Sequence, residues 1–221
     1  MRPVTFRTED DWQLRGSFWE ARSDGAISLV LVHDRSANRA VWEPYVGFFL
    51  SRGWNVLTFD LRGHGESVRH DGRGALHASG GAGQLEGGWP ADVRGALAFL
   101  ARQPKGDPAK CAVVGVGLGA DLAYAASACG WGAASAVGIS PDDTRARALG
   151  GTAAFAPQGA SLVYAALDAT GNAAALAFAT CALAPAECHS YPESTAVAMA
   201  LWEERQPEIV ARSIAWIERV I

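Results

Sequence analysis

At 221 residues, 49% of them hydrophobic and 19% charged, the chain is long enough to bury one large core and short for two, so a single domain over residues 1–221 is expected. Its formal net charge of −4, with no recurrent Lys/Arg face, excludes the electrostatic footprint of a nucleic-acid or anionic-membrane binder. A small molecule or a protein is left as the partner, with a homodimer as the candidate assembly.

The opening MRPVTFRTEDDWQLRG alternates charged and apolar residues without an apolar leader core, and no apolar run reaches transmembrane length. The cytoplasm is the expected compartment. Strand and helix signals then alternate along the chain, the pattern of a mostly parallel α/β sheet with helices on both faces. VTFRT and WQLRGSFWEA form an opening antiparallel hairpin. Ile27–His33 is a β-branched apolar run suited to a strand covered on both faces. Residues 37–52 are expected to be helical, ending at Gly53, and Trp54–Asp60 supplies the next strand.

The stretch from Gly72 to Gly88 holds seven glycines and little apolar content, which predicts a flap or insert that is costly to order. A helix over about Ala91–Ala101 follows, then the strand KCAVVGV, a turn at Gly117 and the helix ADLAYAASACG. AASAVGIS and GASLVYAALD read as strands, the second running into Asp168. NAAALAFATCA reads as a helix, AECHSYP as a strand, and the region from about Pro207 to Ile221 as a closing helix. Ser140 and Ser161 are too close in sequence to enclose a substantial lid domain. Cys111, Cys129, Cys181 and Cys188 lack CxxC spacing and are expected to be buried thiols, with no metal site or disulfide framework.

The order strand, HDRSAN, helix, strand, DLRGHGES, glycine-rich loop, helix, strand, GVGLG, helix resembles the α/β-hydrolase family. The match is most specific over VLVHDRSANRAVWEPYVGFFLSRGWNVLTFDLRGHGES. The resemblance implies an α/β-hydrolase fold and a Gly-x-Ser-x-Gly elbow that exposes a nucleophile, with the next backbone N–H in the oxyanion hole. Here the elbow reads Gly115, Val116, Gly117, Leu118, Gly119, so glycine stands at the nucleophile position.

The resemblance assigns the triad acid to Asp168, whose ordinary alternative is a helix N-cap. It places the histidine near Ala196, after Tyr191-Pro192, leaving His189 as a displaced base or a plain strand residue. His33, Asp34, Arg35 and Leu118 mark the vestigial oxyanion pocket, where the Asp34 carboxylate opposes a developing oxyanion. His64 fits a structural turn, and His70 and His77 a solvated loop.

The expected function is a non-catalytic member of this family that binds a small molecule or a protein in the vestigial pocket, with no cofactor. One alternative is a hydrolase of small esters or amides with displaced catalytic groups. Another is a nucleotide-binding protein: GVGLGA fits Gly-x-Gly-x-x-Ala through Gly115, Gly117 and Ala120, with Asp142 or Asp143 as the acidic residue. His33, Asp34, Arg35, Asp60, Arg62, Asp142, Asp143 and Asp168 fall at strand ends, where open α/β sheets bind ligands, with helix capping and mutual pairing as their ordinary role.

Overall fold

The computed structural model describes residues 1–70, 74–78, 85–151, 155–165, 173, 174, 177 and 183–221. An N-terminal hairpin, β1 (Arg2–Arg7) and β2 (Trp12–Trp19), joins a sheet made of β3 (Ala26–Val32), β4 (Asn55–Phe59), β7 (Gly106–Val116), β8 (Ser135–Ile139), β9 (Gln158–Ala165) and β10 (Leu183–Tyr191). Two short strands, β5 (Arg69–His70) and β6 (Gly74–Ala75), extend it. The order is β10-β9-β8-β7-β3-β4-β2-β5-β6, with β1 on β2. From β4 through β3, β7, β8 and β9 to β10 the strands run parallel, and β1, β2 and β5 are antiparallel to their neighbours.

The helices are α1 (Glu43–Leu50), α2 (Trp89–Leu100), α3 (Leu118–Ala128), α4 (Asp143–Gly150), α5 (Ala198–Glu204) and α6 (Glu208–Val220). The two-residue period of a strand sends alternate side chains of one apolar run to opposite faces. Val30 and Val32 thus join Leu57, Phe59 and Val113 in a core under α2 and α3, with Leu97 and Leu122. Leu29 and Leu31 join Val56, Val114 and Ile139 in a second core with Phe49 of α1, Trp202 of α5 and Trp216 of α6. Burial on both faces explains why these strands read as unbroken apolar stretches.

Several boundaries differ from the sequence reading. The helix expected over 37–52 is a 3-10 turn at Arg39–Trp42 followed by α1, because Pro44 lacks an N–H and suits the first turn of a new helix. Asn38 caps the 3-10 turn, its Oδ1 accepting from the Ala40 N–H at 2.9 Å. α5 was not anticipated. The glycine-rich segment is partly tied down: the Leu76 N–H donates to Val68 O at 2.8 Å and the Ala78 N–H to Gly63 O at 2.9 Å. Residues 71–73 and 79–84 of that segment, most of the helix expected over NAAALAFATCA, and Cys181 lie outside the described residues.

Cys111 is buried, and burial pushes its thiol up to about 11. Cys129 is half-buried, and Cys188 is exposed, contrary to expectation, because β10 ends the sheet among the described residues. No described helix is long and apolar enough to cross a membrane.

Candidate functional site

β7 ends at Val116 and α3 begins at Leu118, with Gly117 between them at φ +54° and ψ −118°. That region is costly for any residue with a β-carbon. The Gly117 N–H donates to Ile139 O at 2.9 Å, which fixes the turn against the end of β8. Strand and helix approach so closely that a β-carbon on Gly115 would lie 2.6 Å from Ala120 N, and one on Gly119 would lie 2.8 Å from the carbonyl carbon of Val32. Residues 115–119 therefore make a tight strand-to-helix turn.

What fills its mouth comes from another strand. Asp34, two residues beyond β3, turns its carboxylate over Gly117, and Oδ1 accepts the Leu118 N–H at 2.8 Å. A β-carbon on Gly117 would overlap Asp34 Oδ1 and lie 2.6 Å from Asp34 Cγ. The carboxylate therefore stands where a side chain at position 117 would start, and takes the amide of the next residue. Oδ2 has no hydrogen-bond donor among the described residues, and Asp34 is only partly buried.

His33 anchors this loop from below. The Leu61 N–H donates to His33 Nε2 at 3.0 Å, so the ring proton sits on Nδ1, which donates to Asp34 O at 2.7 Å. Burial holds the ring neutral, its pKa down at about 4. His33 thus serves the backbone on both sides of its ring rather than the pocket. His64 packs edge-on to it at 5.1 Å and faces the carbonyls of Arg62 (3.0 Å) and Arg35 (2.8 Å), the structural role expected of it. His70 is less solvated than the sequence reading implied: its ring packs edge-on to Trp12 at 5.5 Å and its Nδ1 is buried.

The other charges at the strand ends are committed to structure. Asp60 accepts from the Arg39 N–H (2.8 Å), the Glu66 N–H (2.9 Å) and the Arg39 guanidinium. Arg62 reaches Asp92 through Nε at 2.8 Å and Asp10 through both terminal nitrogens. Burial pushes the Asp92 carboxyl up to about 7 against the pull of that guanidinium. Arg35 leans away from the elbow, over Trp89 and onto Glu86 at 2.8 Å. Asp142 caps α4 through the Arg145 N–H at 2.9 Å, and Asp143 pairs with Arg147 one turn on at 2.8 Å. Asp121, buried under the same cap, accepts from the Asp142 N–H at 2.6 Å and from Arg145. Among the described residues no group of three His, Cys, Asp or Glu is placed to hold a metal ion.

Of the remaining candidates, Asp168 lies outside the described residues. His189 sits on β10, three strand spacings from β7, about 14 Å away in the sheet. Its ring is held by Glu187 at 2.6 Å and by Arg212 of α6 at 3.2 Å, so the structure does not bring it to the elbow. The chain after β10 does return toward the site, since the Ala198 N–H donates at 2.9 Å to the Oγ of Ser140, the residue after β8. Ala196 lies in this returning segment, its N–H donating to Ser194 Oγ at 3.0 Å.

The fold is similar to that of an esterase from Pyrococcus furiosus, with a TM-score of 0.75 and 17% identity, covering 99% of this chain and 90% of that one. It is also similar to a dienelactone hydrolase from Anabaena variabilis, at 0.71 and 14%, covering 99% and 97%. An α/β hydrolase from Penicillium gives 0.73 and 16%, covering 99% and 98%. The chain has the α/β-hydrolase fold. No family model and no curated protein matches the sequence. Only the segment 140–157, which includes α4, lies between β8 and β9, so no substantial lid is inserted there.

Proposed function

We propose that this chain is an α/β-hydrolase-fold protein without Ser- or Cys-type covalent catalysis, and that the strand ends around Gly117 bind a small molecule or a protein segment. The observation that carries this reading is the Asp34 carboxylate. It occupies the space of the nucleophile's side chain and takes the Leu118 amide that would stabilise an oxyanion. In subtilisin, loss of the nucleophile alone lowers turnover by about a million-fold, leaving what binding and the oxyanion hole supply. Here the amide next to the nucleophile position is also engaged, by a group of the wrong charge to share it with an oxyanion.

The same carboxylate argues against a pyrophosphate on the GVGLGA turn, since two anions would compete for one amide. A ligand that suits the site offers an N–H, an O–H or a cation to Asp34 Oδ2. Hydrolysis of p-nitrophenyl acetate tests the reading, with short esters chosen because an esterase is among the structural neighbours. Wild type should match a heat-inactivated control, and Gly117→Ser should stay at that level. Turnover in wild type that is abolished by Asp34→Ala would overturn it and make Asp34 a reacting group.

A further inference from the structure

The free edge of β1 is a second feature, independent of the elbow. Among the described residues β1 pairs with β2 alone. Within β2, the Arg15 N–H donates to Ser67 Oγ at 2.8 Å and Arg15 O accepts from the Asp60 N–H at 2.9 Å. Arg15 therefore turns both backbone groups away from β1. Its opposite number, Thr5, lies at a non-hydrogen-bonded position of the ladder, so the Thr5 N–H and C=O point outward, with Pro3 and Arg7 in the same phase. Pro3 fits that phase because it has no N–H to give the ladder.

Beside this edge runs a groove of about 730 Å³ between residues 5–9 and the face of α2 that carries Gly95 and Ala98. Gly95 lets α2 pack onto the end of the strand, where a β-carbon would lie 3.4 Å from Arg7 O, while the small, exposed Ala98 leaves the groove open and Phe6 stacked on Phe99 at 5.5 Å gives it an apolar wall. Arg7, Arg94 and Arg102 line it with one acid, Glu9, so its rim is net basic; Arg94 pairs with Glu9, and Arg7 also has a partner.

We propose that β1 accepts an extended acidic peptide segment of a partner protein as an added strand, pairing with the backbone of Thr5 and setting alternate side chains in the groove. Unpaired strand edges are templates for such addition, and the alternate side chains supply specificity. Charge selects the occupant. A second copy of β1 would bring Arg2 and Arg7 of each chain onto a rim that is already basic, and like charges across a strand pair are destabilising.

The test is fluorescence polarisation of a fluorescein-labelled Glu-Val-Glu-Val-Glu-Val peptide against the full chain at low salt. Saturable binding is expected, weakening as salt screens the arginines, with none for the Lys-Val counterpart. Thr5→Pro removes the outward N–H and keeps the backbone bonds of the β1–β2 ladder, losing only the exposed Arg15 Nη1 bond to Thr5 Oγ1, and Ala98→Trp fills the groove from an exposed position; each should weaken binding about tenfold or more while the chain still unfolds in one cooperative transition. The proposal fails if the Lys-Val peptide binds equally, or if both variants bind like wild type. It also fails if the chain self-associates through this edge, seen as a dimer in sedimentation that Thr5→Pro or Ala98→Trp dissociates.

Discussion

Two carboxylates at the ends of neighbouring strands each lean over a glycine of positive φ, and they do opposite things. Asp60, after β4, covers Gly65 (φ +47°), and a β-carbon there would lie 2.7 Å from Asp60 Oδ1. Its side chain is 1% exposed, and both oxygens are occupied by N–H donors of Arg39 and Glu66. Asp34, after β3, covers Gly117 (φ +54°) but is only partly buried and has one oxygen without a donor among the described residues. Asp60 closes a turn. Asp34 closes the turn at Gly117 and keeps one oxygen without a donor among the described residues. A glycine that yields its side-chain volume to a carboxylate is therefore no sign of function by itself; what separates the two sites is the unfilled acceptor.

The largest effect should come from the structural member of the comparison. Asp60→Ala leaves two backbone N–H groups without their acceptor and the Arg39 guanidinium with Glu66 alone, and should cost about 3–5 kcal/mol, read from the urea midpoint. A loss below about 1 kcal/mol would mean that water replaces the carboxylate and that the two sites are alike.

His33 bridges the two loops, through Asp34 O on one side and the Leu61 N–H, next to Asp60, on the other. Its pKa is lowered from 6.5 to about 4, first by burial. Between those values the unfolded chain binds more protons than the folded one, so the contribution is whole above 6.5 and is lost as pH falls toward 4. Asp92 and Asp121, both pushed up to about 7 by burial, act in the opposite direction over this range and cancel in a comparison with a variant. Wild type should lose on the order of 3 kcal/mol more stability than His33→Gln between pH 7 and pH 4. Equal losses would show that the ring carries no buried linkage between the loops.

Gly117→Ser should cost about 1–3 kcal/mol through its backbone conformation, with more from overlap with Asp34. Asp34→Gly in the same chain should recover part of this, a coupling of about 0.5–3 kcal/mol in a double-mutant cycle on the denaturant midpoint. Strict additivity would place the carboxylate away from the elbow. Asp34→Asn alone is nearly isosteric, and its partly exposed side chain should change stability by less than about 1 kcal/mol. It should still weaken any ligand that offers a cation to Oδ2.

Much of this was legible in the chain. The apolar runs of β3, β4, β7 and β8 announce a doubly covered sheet, and Gly115, Gly117 and Gly119 announce the elbow, because local spacing dictates both. The occupant of the elbow was not, since Asp34 and Leu118 are 84 positions apart and only the sheet order joins β3 to β7. Arg62 stands at a strand end with Asp60, but the partners it pairs with, Asp92 and Asp10, are each more than a full element away in sequence. His189 reads as a nearby base on numbering alone, whereas the order β10-β9-β8-β7 sets it strands away. The free edge of β1 needed the register: only the directions of the Arg15 N–H and C=O reveal which way Thr5 faces.

The most direct test of the central claim, that Asp34 has replaced the reactive side chain and its oxyanion amide, is intact-protein mass spectrometry after incubation with a fluorophosphonate. The account predicts an unmodified mass under conditions that label an active serine hydrolase to completion. A stoichiometric adduct that peptide mapping places on any residue around Gly117 would contradict it.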